Sequence, residues 1–198
     1  MKRSANTFLA VLAWLATTLG GTRFTVTYAC SPGAPGSPPS TWPETSGLPR
    51  SREEPALLMF LHPPCPGSRA SLGELSLLMT HRAGRVKARV VFFDPAGIDG
   101  NWAKTDLWRA AGAIPGVVVE RDPAGDEARL FRVGTSGDTL LYGADGRLLF
   151  HGAITFGCGH AGDNPARSAM EDVPGGGALP IATTPIFGRG LFCRNQPR

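Results

Sequence analysis

The 198-residue sequence predicts a mixed α/β sheet flanked by helices. Two continuous apolar runs, Ala56 to Leu61 and Val86 to Phe93, have the composition of strands covered on both faces, as parallel strands are. A segment of helical period lies between them. Further on, Thr139–Tyr142 and Arg147–Phe150 flank Gly143-Ala144-Asp145-Gly146, the pattern of a β-hairpin with an Asp-Gly turn. Strands that alternate with helices and then close on a hairpin give the order β-α-β-α-β-α-β-β-α, a mixed sheet.

Each element has its own signal. Leu72, Leu75, Leu77, Leu78 and Met79 recur with roughly helical period up to about Arg82. Pro66 stands at the first helical position, where its missing N–H costs nothing. Asp94-Pro95-Ala96-Gly97 ends the second strand. Asn101 to Ala111 reads as a helix with Trp102, Leu107 and Trp108 as packing residues. Val117-Val118-Val119 is a short strand, Asp126 to Phe131 a short helix, and Pro165 to Asp172 a last helix.

The ends differ from the middle. Gly 26 and Pro 18 are high and concentrate in the two terminal regions. The net charge of +4 is also terminal: residues 53–172 hold 12 basic and 15 acidic side chains. That segment lacks the gathered Lys and Arg of a nucleic-acid surface. Lys2 and Arg3 precede 19 residues without a charge, Ser4 to Thr22. The stretch fits a signal peptide or a transmembrane anchor, and Thr27-Tyr28-Ala29-Cys30 is a variant of a lipoprotein cleavage box. The basic start predicts that the rest of the chain lies outside the cytoplasm, attached to the inner membrane and facing the periplasm, where disulfides persist. The expected organisation is a signal or anchor over 1–30, a flexible tether over 31–52, a folded domain over 53–172 and a Pro/Gly-rich tail over 173–198.

Cys65 is the chemical centre of the sequence. It lies in Phe60-Leu61-His62-Pro63-Pro64-Cys65-Pro66-Gly67-Ser68, between a buried strand and a helix. A cysteine at a helix N-terminus feels unsatisfied backbone N–H groups that favour thiolate. Pro66, Ser68 and Arg69 are placed to support that state, Arg69 by its charge. The same position also suits a buried, inert cysteine.

The run His62 to Leu72 resembles the active-site segment of the RedB family of bacterial thioredoxin-like proteins. Pro95-Ala96-Gly97, Thr105-Asp106-Leu107-Trp108-Arg109, Ala113-Ile114-Pro115-Gly116, Thr135-Ser136-Gly137, Gly162-Asp163-Asn164 and Thr184-Pro185-Ile186-Phe187-Gly188 match the same pattern. With the N-terminal apolar segment, the resemblance covers nearly the whole chain. It implies a membrane-anchored thioredoxin fold outside the cytoplasm, acting on a protein or small-molecule thiol or disulfide through Cys65.

The sequence departs from that pattern in two places, and from thioredoxins in general in two more. The family commonly has a second cysteine at the position of Gly67 and another at that of Arg189. Thr135-Ser136-Gly137, the expected substrate loop, lacks the cis-proline that thioredoxins use beside the thiol. Position 68, where C-x-x-C would end, is serine. Strand direction suggests a replacement: the last strand of the hairpin runs back toward Cys65, and Cys158 follows it by eight residues, so Cys158 is a candidate resolving thiol.

Two other classes of function use the same residues. A thioredoxin-fold binding or scaffold module would have lost the redox pair. A copper or zinc carrier would use His62, Cys65, Cys158 and His160, since thiolate and imidazole suit those metals. His81 and His151 read as solvated. Asp94, Asp99, Asp106, Asp122 and Asp126 read as caps and turn residues. Gly175-Gly176-Gly177 follows no strand and opens no helix, so it is not a phosphate loop, and no cofactor is expected.

Overall fold

Five strands form one sheet in the order β3-β2-β1-β4-β5 in a computed structural model that describes residues 11–23, 33, 36–82, 84–97, 101–157, 162, 164–171 and 179–192. The strands are β1 (Ala56–Leu61), β2 (Lys87–Asp94), β3 (Val117–Pro123), β4 (Asp138–Tyr142) and β5 (Leu148–Gly152). β1, β2 and β3 are parallel, β4 lies antiparallel beside β1, and β5 antiparallel beside β4. The chain divides into two units, Met1–Ser31 and Pro32–Arg198. In the first, residues 11–23 are helical (α1) and solvent-exposed. Among the described residues no helix is long and apolar enough to cross a membrane. Lys2, Arg3, Phe8 and Cys30, on which the anchor and lipoprotein expectations partly rest, lie outside the described residues.

In the second unit α2 (Ser68–His81), α3 (Asp106–Gly112) and α5 (Pro165–Glu171) cover one face of the sheet. Leu57, Met59, Leu61, Val90 and Phe92 meet Leu72, Leu75, Leu78, Leu107 and Met170 there. Glu74 of α2 is 1% exposed, accepts from Arg167 Nε of α5 at 2.8 Å and from the Gly162 N–H at 3.1 Å, and so ties the two helices together. The other face carries Leu58, Phe60, Val91, Phe93, Leu140 and Tyr142. Among the described helices of this unit only α4 (Asp126–Leu130), five residues long, is left to cover it.

That shortage corrects the expected tether and tail. Trp42 stands edge-on to Phe131 (5.1 Å) and Tyr142 (5.3 Å), and Leu48 is buried in the same cluster. Thr41 bridges Arg147, and the Tyr142 hydroxyl donates to the Pro39 carbonyl at 3.0 Å. Residues 36–50 therefore belong to the fold: the apolar face draws them down despite their Pro/Gly/Ser composition. The tail behaves likewise over its described residues 179–192. The His151 N–H donates to the Ala182 carbonyl (3.0 Å) along the β5 edge, and Leu179, Ile186 and Leu191 are buried.

Smaller differences have local causes. α2 begins at Ser68, because Pro66 sits in a turn closed by the Ser68 N–H on the Cys65 carbonyl (3.2 Å). α3 begins at Asp106 behind an extended Thr105, with residues 101–104 forming a separate turn. β3 runs to Pro123 because its pairing with β2 continues to Asp94, whose carboxylate meets Arg121. His151 is not solvated: its Nε2 lies 3.1 Å from Oδ1 of the buried Asp138. Burial raises that carboxyl's pKa and His151 opposes the rise. His81 is exposed and pairs through Nδ1 with Glu171 at 2.8 Å.

Candidate functional site

β1 delivers the chain to the C-terminal end of the parallel strands, where two consecutive turns carry it into α2. The Cys65 N–H donates to the His62 carbonyl (3.0 Å), closing the first, and the second runs from Cys65 to Ser68. α2 has no side chain capping its N-terminus; its first N–H groups turn back on the chain, Ser68 to the Cys65 carbonyl (3.2 Å) and Ala70 to the Gly67 carbonyl (3.2 Å). Cys65 is a free thiol, 3% exposed, at that end.

The loop before β4 closes on the thiol from the other side. Ser136 Oγ accepts the His62 N–H at 2.8 Å and shares a hydrogen bond with Ser68 Oγ at 3.0 Å. The Gly137 N–H donates to the Phe60 carbonyl at 2.8 Å, which fixes the loop to the end of β1. No peptide bond in the described chain is cis. The loop expected to contact substrate thus stands beside the Cys65 turn, joined to it through Ser136.

Burial is the largest influence on the Cys65 thiol and pushes its pKa up. Four donors outweigh it: the Arg189 backbone N–H, the Ser68 and Ser136 hydroxyls and the Gly67 backbone N–H, in that order. The net direction is down from the ordinary 9.0. Hydrogen bonds to the charged form favour that form, and the thiolate is the nucleophile and the metal ligand. Two of these donors, Ser136 as a thiolate partner and Arg189 through its backbone, escape a local reading. They come from loops 71 and 124 residues away in sequence.

The other named residues divide. Ser68 supports the thiolate, and Pro66 only shapes the turn. Arg69 does not reach over the thiol: its guanidinium pairs with Asp106 at the start of α3. His62 is fully buried, stacked near Phe93 (6.0 Å) and edge-on to Trp102 (5.4 Å). That aromatic setting holds the strand end rather than presenting an imidazole to solvent. Cys158 and His160, the candidate resolving thiol and the other half of the metal set, lie outside the described residues, as does Cys193. Among the described residues no three His, Cys, Asp or Glu side chains converge as a metal site requires.

A βαβ unit joined to an antiparallel hairpin and a final helix, with β4 beside β1, defines a thioredoxin-like fold. No family model and no curated protein matches the sequence. Solved structures match the fold. A hypothetical protein from Sinorhizobium meliloti 1021 superposes with a TM-score of 0.61 at 15% identity, over 84% of this chain and 98% of its own. An uncharacterized conserved protein from Geobacillus kaustophilus gives 0.58 at 13% identity, over 84% and 94%. StoA from Bacillus subtilis gives 0.45 at 17% identity, over 71% and 98%. At such identities the first two likenesses are of fold alone.

Proposed function

We propose that the chain is a RedB-type thioredoxin-like protein, anchored in the inner membrane by its N-terminal segment, whose Cys65 performs thiol–disulfide exchange outside the cytoplasm. The observation that carries this reading is the set of four donors that hold a buried thiol toward thiolate. The Cys65 Sγ anion attacks one sulfur of a substrate disulfide. The S–S bond breaks, the other sulfur leaves as thiolate and takes a proton, and a mixed disulfide with Cys65 remains. A second thiolate then attacks the Cys65 sulfur of that bond and releases the remaining substrate sulfur as thiolate, which takes a proton. Cys65 and the second thiol are left joined as a disulfide, and the two electrons they lose are the two the substrate disulfide gains. With Ser68 in the C-x-x-C position, the second thiolate comes from Cys158 or from an external protein or small-molecule thiol.

The test is the pH dependence of iodoacetamide alkylation of Cys65 in the full chain, with mass mapping of disulfides after oxidation. A midpoint below 9.0 is expected, with Cys65 trapped in a mixed disulfide by a small disulfide reagent. A midpoint at or above that value overturns the reading and leaves a redox-silent scaffold. A Cys65–Cys158 bond on oxidation supports internal resolution; two permanently free thiols exclude it.

A further inference from the structure

The backbone edge beside Cys65 is already occupied by the protein's own tail. Gly190 forms an antiparallel bridge with Thr135. The Ser136 N–H donates to the Arg189 carbonyl at 2.7 Å, and the Leu191 N–H to the Gly134 carbonyl at 2.8 Å. Gly134–Ser136 is therefore a short strand edge on which the tail lies as an added strand. Strand addition is recognised through main-chain groups and accepts any extended backbone.

The crossing point is sterically demanding. A Cβ at Gly188 would stand 1.9 Å from the Ser136 carbonyl oxygen, so only a residue without a side chain passes this close. The two ends of the crossing are pinned: Ile186 is buried and its carbonyl accepts the Gly33 N–H at 2.8 Å, while Leu191 is buried in the second-face core. Between these pins Phe187, Gly188 and Gly190 are half-buried and Arg189 is exposed. A segment held at its ends and lightly packed in the middle opens locally at little cost. While it is closed, Cys65 is 3% exposed.

We propose that Ile186–Leu191 is a displaceable strap on the docking edge Gly134–Ser136, and that the partner reaching Cys65 is an extended polypeptide segment that takes the strap's place. This rests on Cys65 being a working thiol. The edge offers a carbonyl and an N–H at strand spacing, which match a peptide main chain rather than a small thiol. The Arg189 N–H that now reaches the thiol is also removed when the strap leaves, so opening exposes Cys65 and weakens its thiolate together.

Gly188→Ala in the full chain tests the strap, with Ile186→Ala as a second variant that loosens a pin away from the thiol. The readout is the alkylation rate of Cys65 on its high-pH plateau, where every molecule is thiolate. That plateau is expected to rise about tenfold or more in Gly188→Ala, as overpacking by one methyl opens a closed contact, and to rise in Ile186→Ala as well. The alkylation midpoint should move up in parallel. An unchanged plateau in both variants overturns the strap. Docking is read by hydrogen exchange on a mixed disulfide between wild-type Cys65 and a cysteine-containing extended peptide. The Leu191 amide should lose protection while the Ser136 amide keeps it; loss at both overturns the docking edge. A failure of the thiol-exchange reading would instead show as a high wild-type midpoint, which the plateau rate does not depend on.

Discussion

A thiol buried to the extent of Cys65 is normally held neutral, because removing charge from water costs more than one hydrogen bond returns. Ser136 is central to the opposite outcome, since its hydroxyl meets Cys65, Ser68 and the His62 N–H at once. Ser136→Ala should raise the Cys65 midpoint and lower the thiolate fraction near neutral pH, because a hydrogen bond to the charged form is lost. It should also destabilise the fold by about 1–3 kcal/mol by orphaning the buried His62 N–H. Alkylation profiles and urea unfolding check the two effects, and Ser68→Ala should raise the midpoint while leaving the His62 N–H satisfied. The same thiol links stability to pH. Its folded pKa lies below the unfolded 9.0, so its ionisation contributes stability that is fully present above pH 9 and lost as pH falls through the folded value. The difference in urea midpoint between wild type and Cys65→Ser should therefore grow as pH rises toward 9 and then level off. A flat difference would mean that the thiolate is not favoured by folding.

At the scale of elements, the regular strands and helices were legible because hydrophobic period is a local property. Ala56–Leu61, the α2 leucines and the Asp145-Gly146 hairpin state their structure within a dozen residues each. The covering segments were not legible. Trp42 and Leu48 are isolated apolar residues among Pro, Gly and Ser, and their burial depends on α4 being too short to shield Phe60, Phe131 and Tyr142. The thiol's position was readable from the strand-to-helix junction, but its donors at Ser136 and Arg189 come from distant loops whose approach no local pattern announces. The boundary at residue 53 can be tested against this packing. A chain beginning at Glu53 should fail to unfold cooperatively, and Trp42→Ala should cost about 2–4 kcal/mol, less than a fully buried tryptophan. Urea unfolding followed by near-ultraviolet circular dichroism checks both. On the other face, Arg167→Ala leaves the Glu74 carboxylate buried without its cation, and an expected loss of about 3 kcal/mol follows from breaking a buried pair.

Within the second unit the tail makes two distant contacts: the Gly33 N–H reaches the Ile186 carbonyl, and the Arg189 N–H is a donor to the Cys65 thiolate. The contact between positions 65 and 189 spans 124 residues of chain, so a bond made there closes a long loop. Arg189→Cys tests that contact, because the residue 189 backbone N–H is one of the donors that favour the Cys65 thiolate. Under oxidising conditions the variant should form a disulfide between Cys65 and the thiol introduced in the tail. Closing a loop of that length removes unfolded-state entropy worth about 4–5 kcal/mol where the bond is unstrained. Three changes should therefore appear together and reverse together with dithiothreitol: a higher urea midpoint, loss of Cys65 alkylation, and protection of the Leu191 amide. Each has a different alternative. A disulfide without added stability would mean that the native geometry strains the bond. No disulfide at all would mean that the tail does not rest over the thiol in solution. Protection of Leu191 that is the same with and without dithiothreitol would mean that the strap is already closed nearly all the time. In that case the opening that admits a partner is rare, and the alkylation plateau of the wild type reports how rare.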